Sequence, residues 1–355
     1  MTASGALAPF VVSAFGVRIR LEFASGFPAD DAVRIRRSWD GALAPDETDA
    51  EPDVVIEVTV LDDLEARAES LTVQVTLAAL EHRSGELIMF HACGVADPEG
   101  RVAAFVGPSG RGKTTLSRAL GAHYGYVSDE TVGVDTDLVV SAYRKPLSVV
   151  RPGKPKEQVS PGTAGLLPLP DAPLRLGALV LLTRDAEHPA PTIEPLPFPE
   201  AIAEIAPQMS YLAELPRPLQ TIATLCDRIG GVVRLTYPDA ATVPPVVPAL
   251  LDHERVHEEW EPAGFEREHP EFDLSDVTDA IRCGDRVVVL AQRWVHVLDG
   301  IAPVIWDSLR AGRLTDQIVD DVVAHFGSPA QGDPSDLVAD ALEQLVEARV
   351  LVRKD

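Results

Sequence analysis

Apolar and polar residues partly alternate over 11–23 (VVSAFGVRIRLEF), the period of two that predicts a strand or hairpin. A second strand is expected at 54–61, directly behind the acidic loop 46–53. From Leu71 the sequence LTVQVTLAALEHRS is helical at its centre, and a further strand opens at 87–90. The first 80 residues thus read as a small α/β region without recognisable chemistry. Beyond it, strands and helices alternate: a buried strand at 102–106, a helix at 114–124, the start of a strand at 126–128 and a buried strand, GALVLLT, at 177–183. Residues 201–229 read mostly as helix, interrupted at Pro216 and Pro218. Such alternation implies an α/β fold with a parallel component.

The pattern changes after 252–273, a charged, polar and aperiodic stretch that predicts a connector. Two short strands at 286–290 and 294–298 flank Ala291-Gln292-Arg293, a hairpin signal. Helices are expected at 303–309 and 315–326, the second with Ile318, Val319, Val322 and Val323 on one face. A third starts at Asp333-Pro334, a capping residue followed by proline at the first helical position. Its apolar stripe runs through Leu337, Val338, Ala341, Leu342, Leu345 and Val346, and a closing strand is expected at 350–352. The expected division is a small region at 1–80, an α/β domain at 81–250, a connector at 251–273 and a hairpin-plus-three-helix module at 274–355.

Composition then removes several function classes. The chain has 355 residues, 46% hydrophobic and 24% charged, as expected for a folded protein of two or three domains. Lys plus Arg number 31 against 55 Asp plus Glu, a formal net charge of −24. That field repels phosphodiester backbones and anionic lipid, so neither nucleic acid nor membrane is an expected partner. No apolar run reaches the length of a membrane span, and the N-terminus lacks a basic segment before an apolar stretch, so a cytoplasmic protein is expected. Cys93, Cys226 and Cys283 have no metal-like spacing and form no disulfide framework.

The chemistry begins at Gly107-Pro108-Ser109-Gly110-Arg111-Gly112-Lys113-Thr114, which satisfies G-x-x-x-x-G-K-[ST] at every fixed position. The expected strand precedes it and a helix with Leu116, Ala119 and Leu120 follows. Glycines let backbone N–H groups curl around phosphates, and the helix N-terminus adds its positive end. Lys113 would reach the β- and γ-phosphates of ATP, with Thr115 also in the binding segment, and the Thr114 hydroxyl would ligate Mg²⁺. Asp129-Glu130 ends a short strand only 16 residues after Lys113, whereas motor and switch NTPases usually carry their metal-binding Asp much further along. A carboxylate there can act as general base on a substrate hydroxyl while its neighbour holds metal. His91 lies just before the strand of the loop.

In their order and spacing, His91, the loop 107–114 and Asp129-Glu130 resemble the catalytic domain of HPr kinase/phosphorylase and its relatives, over roughly residues 70–245. The resemblance implies a compact P-loop kinase fold, related to bacterial carboxykinases, that phosphorylates a serine hydroxyl. It implies Asp129 as the base, Glu130 with Asp129 at the metal, and His91 tuning or pairing with the acids. The chain departs from that family in Asp129-Glu130, where two aspartates are usual, and in Thr114-Thr115, where Ser-Glu follows the loop lysine. The segment linked to phosphorolysis is not found, which weakens the case for the reverse activity and for HPr as substrate.

Three of the five lysines, Lys145, Lys154 and Lys156, cluster with Arg144 and Arg151 in a Pro-rich stretch. In so acidic a chain this points to phosphate or an acidic peptide, or to a solvated loop that orders over substrate. The C-terminal module has winged-helix character, but 16 acidic against 8 basic residues over 271–355 argue against DNA. Its Val287-Val288-Val289-Leu290, Trp294-Val295-His296-Val297-Leu298-Asp299, Ile305-Trp306, Leu314 and Ile318-Val319, with the helix at 337–346, resemble the PqqD-like family. That resemblance implies a recognition element for ribosomally synthesised precursor peptides, whose leader adds as a strand to the hairpin edge.

Together these features predict an ATP-dependent kinase acting on a Ser or Thr of a leader-bound precursor peptide. A small-molecule kinase, for example on free serine, and a non-catalytic nucleotide-binding adaptor stay open, as does a homo-oligomer.

Overall fold

The computed structural model describes residues 7–44, 51–60, 63–108, 112–149, 156–254, 258–264, 269–274 and 276–354. In chain order its elements begin with β1 (Phe10–Ala14), β2 (Val17–Phe23), α1 (Ala29–Ser38), β3 (Val54–Val58) and α2 (Leu64–His82). There follow β4 (Ile88–Phe90), β5 (Ala92–Ala96), β6 (Arg101–Val106), α3 (Lys113–Gly121), β7 (Gly125–Ser128), β8 (Val132–Val134) and β9 (Val140–Ser141). The hairpin strands β10 (Leu147–Val149) and β11 (Glu157–Val159) lead to β12 (Arg175–Arg184), β13 (Thr192–Leu196), α4 (Phe198–Ile205), β14 (Met209–Ser210), α5 (Pro218–Ile229), β15 (Val232–Tyr237) and α6 (Val247–Leu251). The C-terminal part contains β16 (Trp260–Pro262), β17 (Phe272–Asp273), β18 (Val277–Cys283), β19 (Arg286–Ala291), β20 (Trp294–Leu298), α7 (Ala302–Arg310), α8 (Thr315–Phe326), α9 (Pro334–Glu347) and β21 (Val352–Arg353).

Contacts divide the chain into two units. One comprises Met1–Glu194, Gln208–Ser210 and Val233–His253; the other comprises Pro195–Pro207, Tyr211–Val232 and Glu254–Asp355. The helical expectation over 201–229 resolves into α4 and α5, separated by β14 and short 3-10 turns, because Pro207, Pro216 and Pro218 interrupt the ladder.

In the first unit, β1, β2 and β3 form a sheet whose apolar positions Val12, Ile19 and Leu21 join Ile35, Trp39, Leu71 and Val75 in one core cluster. Asp63 caps α2, accepting from the N–H groups of Glu65 and Ala66. The larger sheet has the order β13-β15-β12-β6-β5-β7, and β14-β4-β8-β9 forms a second sheet. Leu116 and Leu120 of α3 pack with Val95, Phe105 and Val180 from the larger sheet.

Pairing in the larger sheet decides where the chemistry goes. β5 runs antiparallel to β6, with Ala92 opposite Val106, and antiparallel to β7, with Gly94 opposite Ser128. The start of β5, the end of β6 and the end of β7 therefore share one rim. His91, Gly107-Pro108 and Asp129-Glu130 leave the sheet at that rim.

In the second unit the sheet order is β16-β18-β19-β20, so part of the stretch expected to be a connector is itself a strand. Alternate residues Val287, Val289 and Ala291 face a core with Trp306, Ile318 and Leu342 from α7, α8 and α9. The opposite face of β18 and β19 packs on α5, and α4 packs beside β20. β21 pairs with β17 and not with the hairpin, so the expected closing strand forms a separate small ribbon.

Asp279, almost fully buried on β18, accepts from the backbone N–H of Leu219 (2.9 Å) and Gln220 (3.1 Å) and from the Gln220 side chain (2.8 Å). It thereby satisfies the first turn of α5, which a proline opens. Asp279→Ala leaves these buried donors without a partner and should cost about 1–3 kcal/mol, read as a lower urea midpoint with an unchanged slope.

Among the described residues, no helix is long and apolar enough to cross a membrane. The three cysteines are buried and free.

Candidate active site

A cleft of about 640 Å³ opens at the shared rim and is lined by His91, Gly112, Lys113, Thr114, Asp129, Glu130, Lys145 and Lys156, with Glu69, Thr72, Val73 and Ser148 completing the wall. Gly112 sits immediately before α3 with φ +87°, a left-handed conformation. A side chain there is strained by roughly 1–2 kcal/mol, so glycine is what lets the chain turn from the loop into the helix. Lys113 is buried and its ammonium donates to the Gly107 carbonyl. Burial pushes its pKa down from the ordinary lysine value. Thr114 is exposed on the cleft; Thr115 is exposed and lies outside the lining. Pro108 is exposed, while Ser109, Gly110 and Arg111 lie outside the described residues.

The two acids differ in setting. The Asp129 side chain is 7% exposed and that of Glu130 38%. Lys145 Nζ lies 3.3 Å from Asp129 Oδ1 and 3.3 Å from Glu130 Oε2. These are ion pairs without hydrogen-bond alignment, and Asp129 Oδ1 has no hydrogen-bond partner despite its burial. Burial disfavours the Lys145 ammonium, but the two carboxylates outweigh it and its pKa is raised.

Lys145 owes its place to Tyr143, whose N–H donates to the Val127 carbonyl (3.2 Å) beside β7. The chain thus runs along β7, so that Lys145, two residues past Tyr143, meets Asp129, two residues past Val127. The Tyr143 hydroxyl and Thr76 Oγ1 share a buried 2.9 Å hydrogen bond.

His91 is fixed by its backbone N–H, which donates to the Gln208 carbonyl at 2.6 Å. Its pKa is lowered by burial and by the Lys113 ammonium, against the opposing pull of Glu130 and Asp129. The lowered pKa favours the neutral ring, which has one N–H donor and one acceptor nitrogen. Burial pushes the Cys93 thiol up to about 12, which removes it as a nucleophile.

No protein-family profile matches the chain, and no curated protein matches it. Among solved structures, the Hpr(Ser) kinase/phosphatase from Coxiella burnetii is similar to this chain over 46% of its length and 93% of the other, at 13% identity and a TM-score of 0.28. A likeness that distant carries no argument about chemistry, whereas the residues brought together in the cleft do.

The basic stretch distributes unevenly. Lys145 and Lys156 line the cleft, and Lys156 pairs with Glu69 at 2.9 Å. Arg144 turns away, its guanidinium donating to the Leu167 carbonyl at 3.1 Å. Arg151 and Lys154 lie outside the described residues.

Among the described residues, no group of three or more His, Cys, Asp or Glu side chains forms a metal cage. The oxygens present nevertheless suit Mg²⁺, which keeps several waters and completes its shell with phosphate oxygens. The buried Asp129 Oδ1, ion-paired with Lys145 but without a hydrogen bond, would be one ligand, with Glu130 and the Thr114 hydroxyl on the same cleft.

Proposed function

We propose that this chain is an ATP-dependent kinase that transfers the γ-phosphoryl group to a Ser or Thr hydroxyl of a ribosomally synthesised precursor peptide. One observation carries the reading: Lys113 and Thr114 at the start of α3 and the buried Asp129 just after β7 line one cleft. In this reading Lys113 holds the β- and γ-phosphates, and the backbone around Gly112 receives their charge at the start of α3. Asp129 accepts the proton of the attacking hydroxyl, Glu130 and Thr114 complete the Mg²⁺ ligands, and neutral His91 sits beside the acids. Mg²⁺, when bound, neutralises phosphate charge.

The peptide half of the reading rests on β20. It ends the sheet of the second unit, so its outer N–H and C=O groups lie at an edge, and it begins with Trp294, 54% exposed. Both faces of β18 and β19 are covered. An extended leader adding to β20 would gain main-chain hydrogen bonds, with Trp294 as a side-chain anchor.

The test supplies the full-length protein with labelled ATP, Mg²⁺ and either free L-serine or short Ser/Thr peptides encoded beside its gene. Phosphopeptide with little phosphoserine supports the proposal. Transfer to free serine alone replaces it with a small-molecule kinase, and nucleotide binding without transfer to any hydroxyl replaces it with an adaptor.

A further inference from the structure

Asp129 and Glu130 are adjacent carboxylates on one cleft, and a cation beside both offsets their mutual repulsion. Here the cation is part of the chain. Lys145 is itself buried, with a side chain 9% exposed, and its ammonium lies at the same 3.3 Å from one oxygen of each acid. Its backbone is tied on one side by the Tyr143–Val127 hydrogen bond, and Tyr143 is locked by Thr76 and by the Phe15 ring, 4.8 Å away between centroids. The ammonium can therefore leave only by swinging its own four-carbon stem.

A divalent ion on these oxygens would compete with the ammonium for the same lone pairs and be repelled by its charge. We propose that Lys145 is a built-in stand-in for the metal: it fills the cation position between Asp129 and Glu130 in the nucleotide-free protein, and yields it to a divalent ion only when nucleotide phosphates are present to receive the displaced ammonium. This rests on reading the cleft as a Mg²⁺–ATP site and adds to it a binding order. Free metal is refused, and metal and nucleotide enter together. Lys145 then belongs with the acids and the phosphates and does not serve as a handle for the acceptor.

The test measures Mn²⁺ uptake by the EDTA-stripped full-length protein, from the loss of the free-ion electron paramagnetic resonance signal. Wild type should take up Mn²⁺ weakly alone and tightly with a non-hydrolysable ATP analogue. Lys145→Met removes the ammonium but keeps an unbranched apolar stem, and leaves the acids uncompensated. Its nucleotide-free Mn²⁺ affinity should rise by about tenfold or more. Lys145→Arg keeps the charge and should stay as weak as wild type. Should Lys145→Met not fold, Lys145→Gln carries the same expectation with amide donors to the carboxylates.

Tight Mn²⁺ binding by nucleotide-free wild type, or a folded Lys145→Met with wild-type affinity, overturns the stand-in role. A fluorescent ATP analogue titrated together with Mg²⁺ into the wild type and into Lys145→Met reads the nucleotide site separately. No binding there sinks the kinase reading, whereas normal binding with an unchanged Mn²⁺ affinity in Lys145→Met sinks only the stand-in.

Discussion

In the proposed kinase, Lys113→Met should fold and transfer phosphate more slowly by about 10³ or more. The side chain is 7% exposed at the start of α3, so its charge acts in a poorly solvated cleft where a single donor to developing charge is worth several kcal/mol. Stability should change little. In the nucleotide-free protein the ammonium has the Gly107 carbonyl as hydrogen-bond partner, and burial already disfavours its charge. Replacing it with a thioether of similar length removes that penalty but leaves the Gly107 carbonyl without its partner, and the two effects offset to within about 1–2 kcal/mol. The separating measurement is thermal unfolding with and without Mg²⁺–ATP. A ligand at about 100 times its dissociation constant adds about 2.7 kcal/mol to the wild type, and that gain should vanish in the variant. Turnover near wild type at saturating Mg²⁺–ATP would remove the loop from the catalytic site.

Asp129→Asn should keep nucleotide binding and lose transfer by about 10²–10⁴, the range for a general base. Glu130→Gln should lose less, because its carboxylate is far more exposed and water screens it. The Asn substitution also turns an amide toward Lys145, which then keeps only Glu130 as counter-charge. A stability loss of about 1–3 kcal/mol should accompany it, below that of a fully broken buried pair. Activity and urea denaturation on the same preparations separate the two effects. Normal transfer in Asp129→Asn with a dead Glu130→Gln would exchange the two roles.

The rim of the larger sheet is legible in the sequence because its signals are local. Glycine spacing, the helix behind it and a short strand ending in acids can each be read within a few residues. The place of Lys145 is not legible. It follows from a pairing between Tyr143 and Val127, and a cluster of basic residues in a Pro-rich stretch reads equally well as a surface for an acceptor. Strand β18 escapes the sequence pattern for a different reason. Asp279 occupies a buried position in it and interrupts the alternation that marks a strand, although the same residue caps a helix 60 residues upstream. Helices α4 and α5 show their periodicity, but a period of 3.6 identifies a buried face without saying which sheet covers it.

Helices α4 and α5 are encoded before β15, while the strands they cover follow residue 254. During translation the ribosome therefore releases both helices before their partner sheet exists, and next delivers β15, the strand between β13 and β12 in the larger sheet. At roughly 5–20 residues per second, their apolar faces wait several seconds for β18 and β19. A nascent chain paused in that interval has nearly all of the first unit and two amphipathic helices still uncovered, and is the species a chaperone would meet.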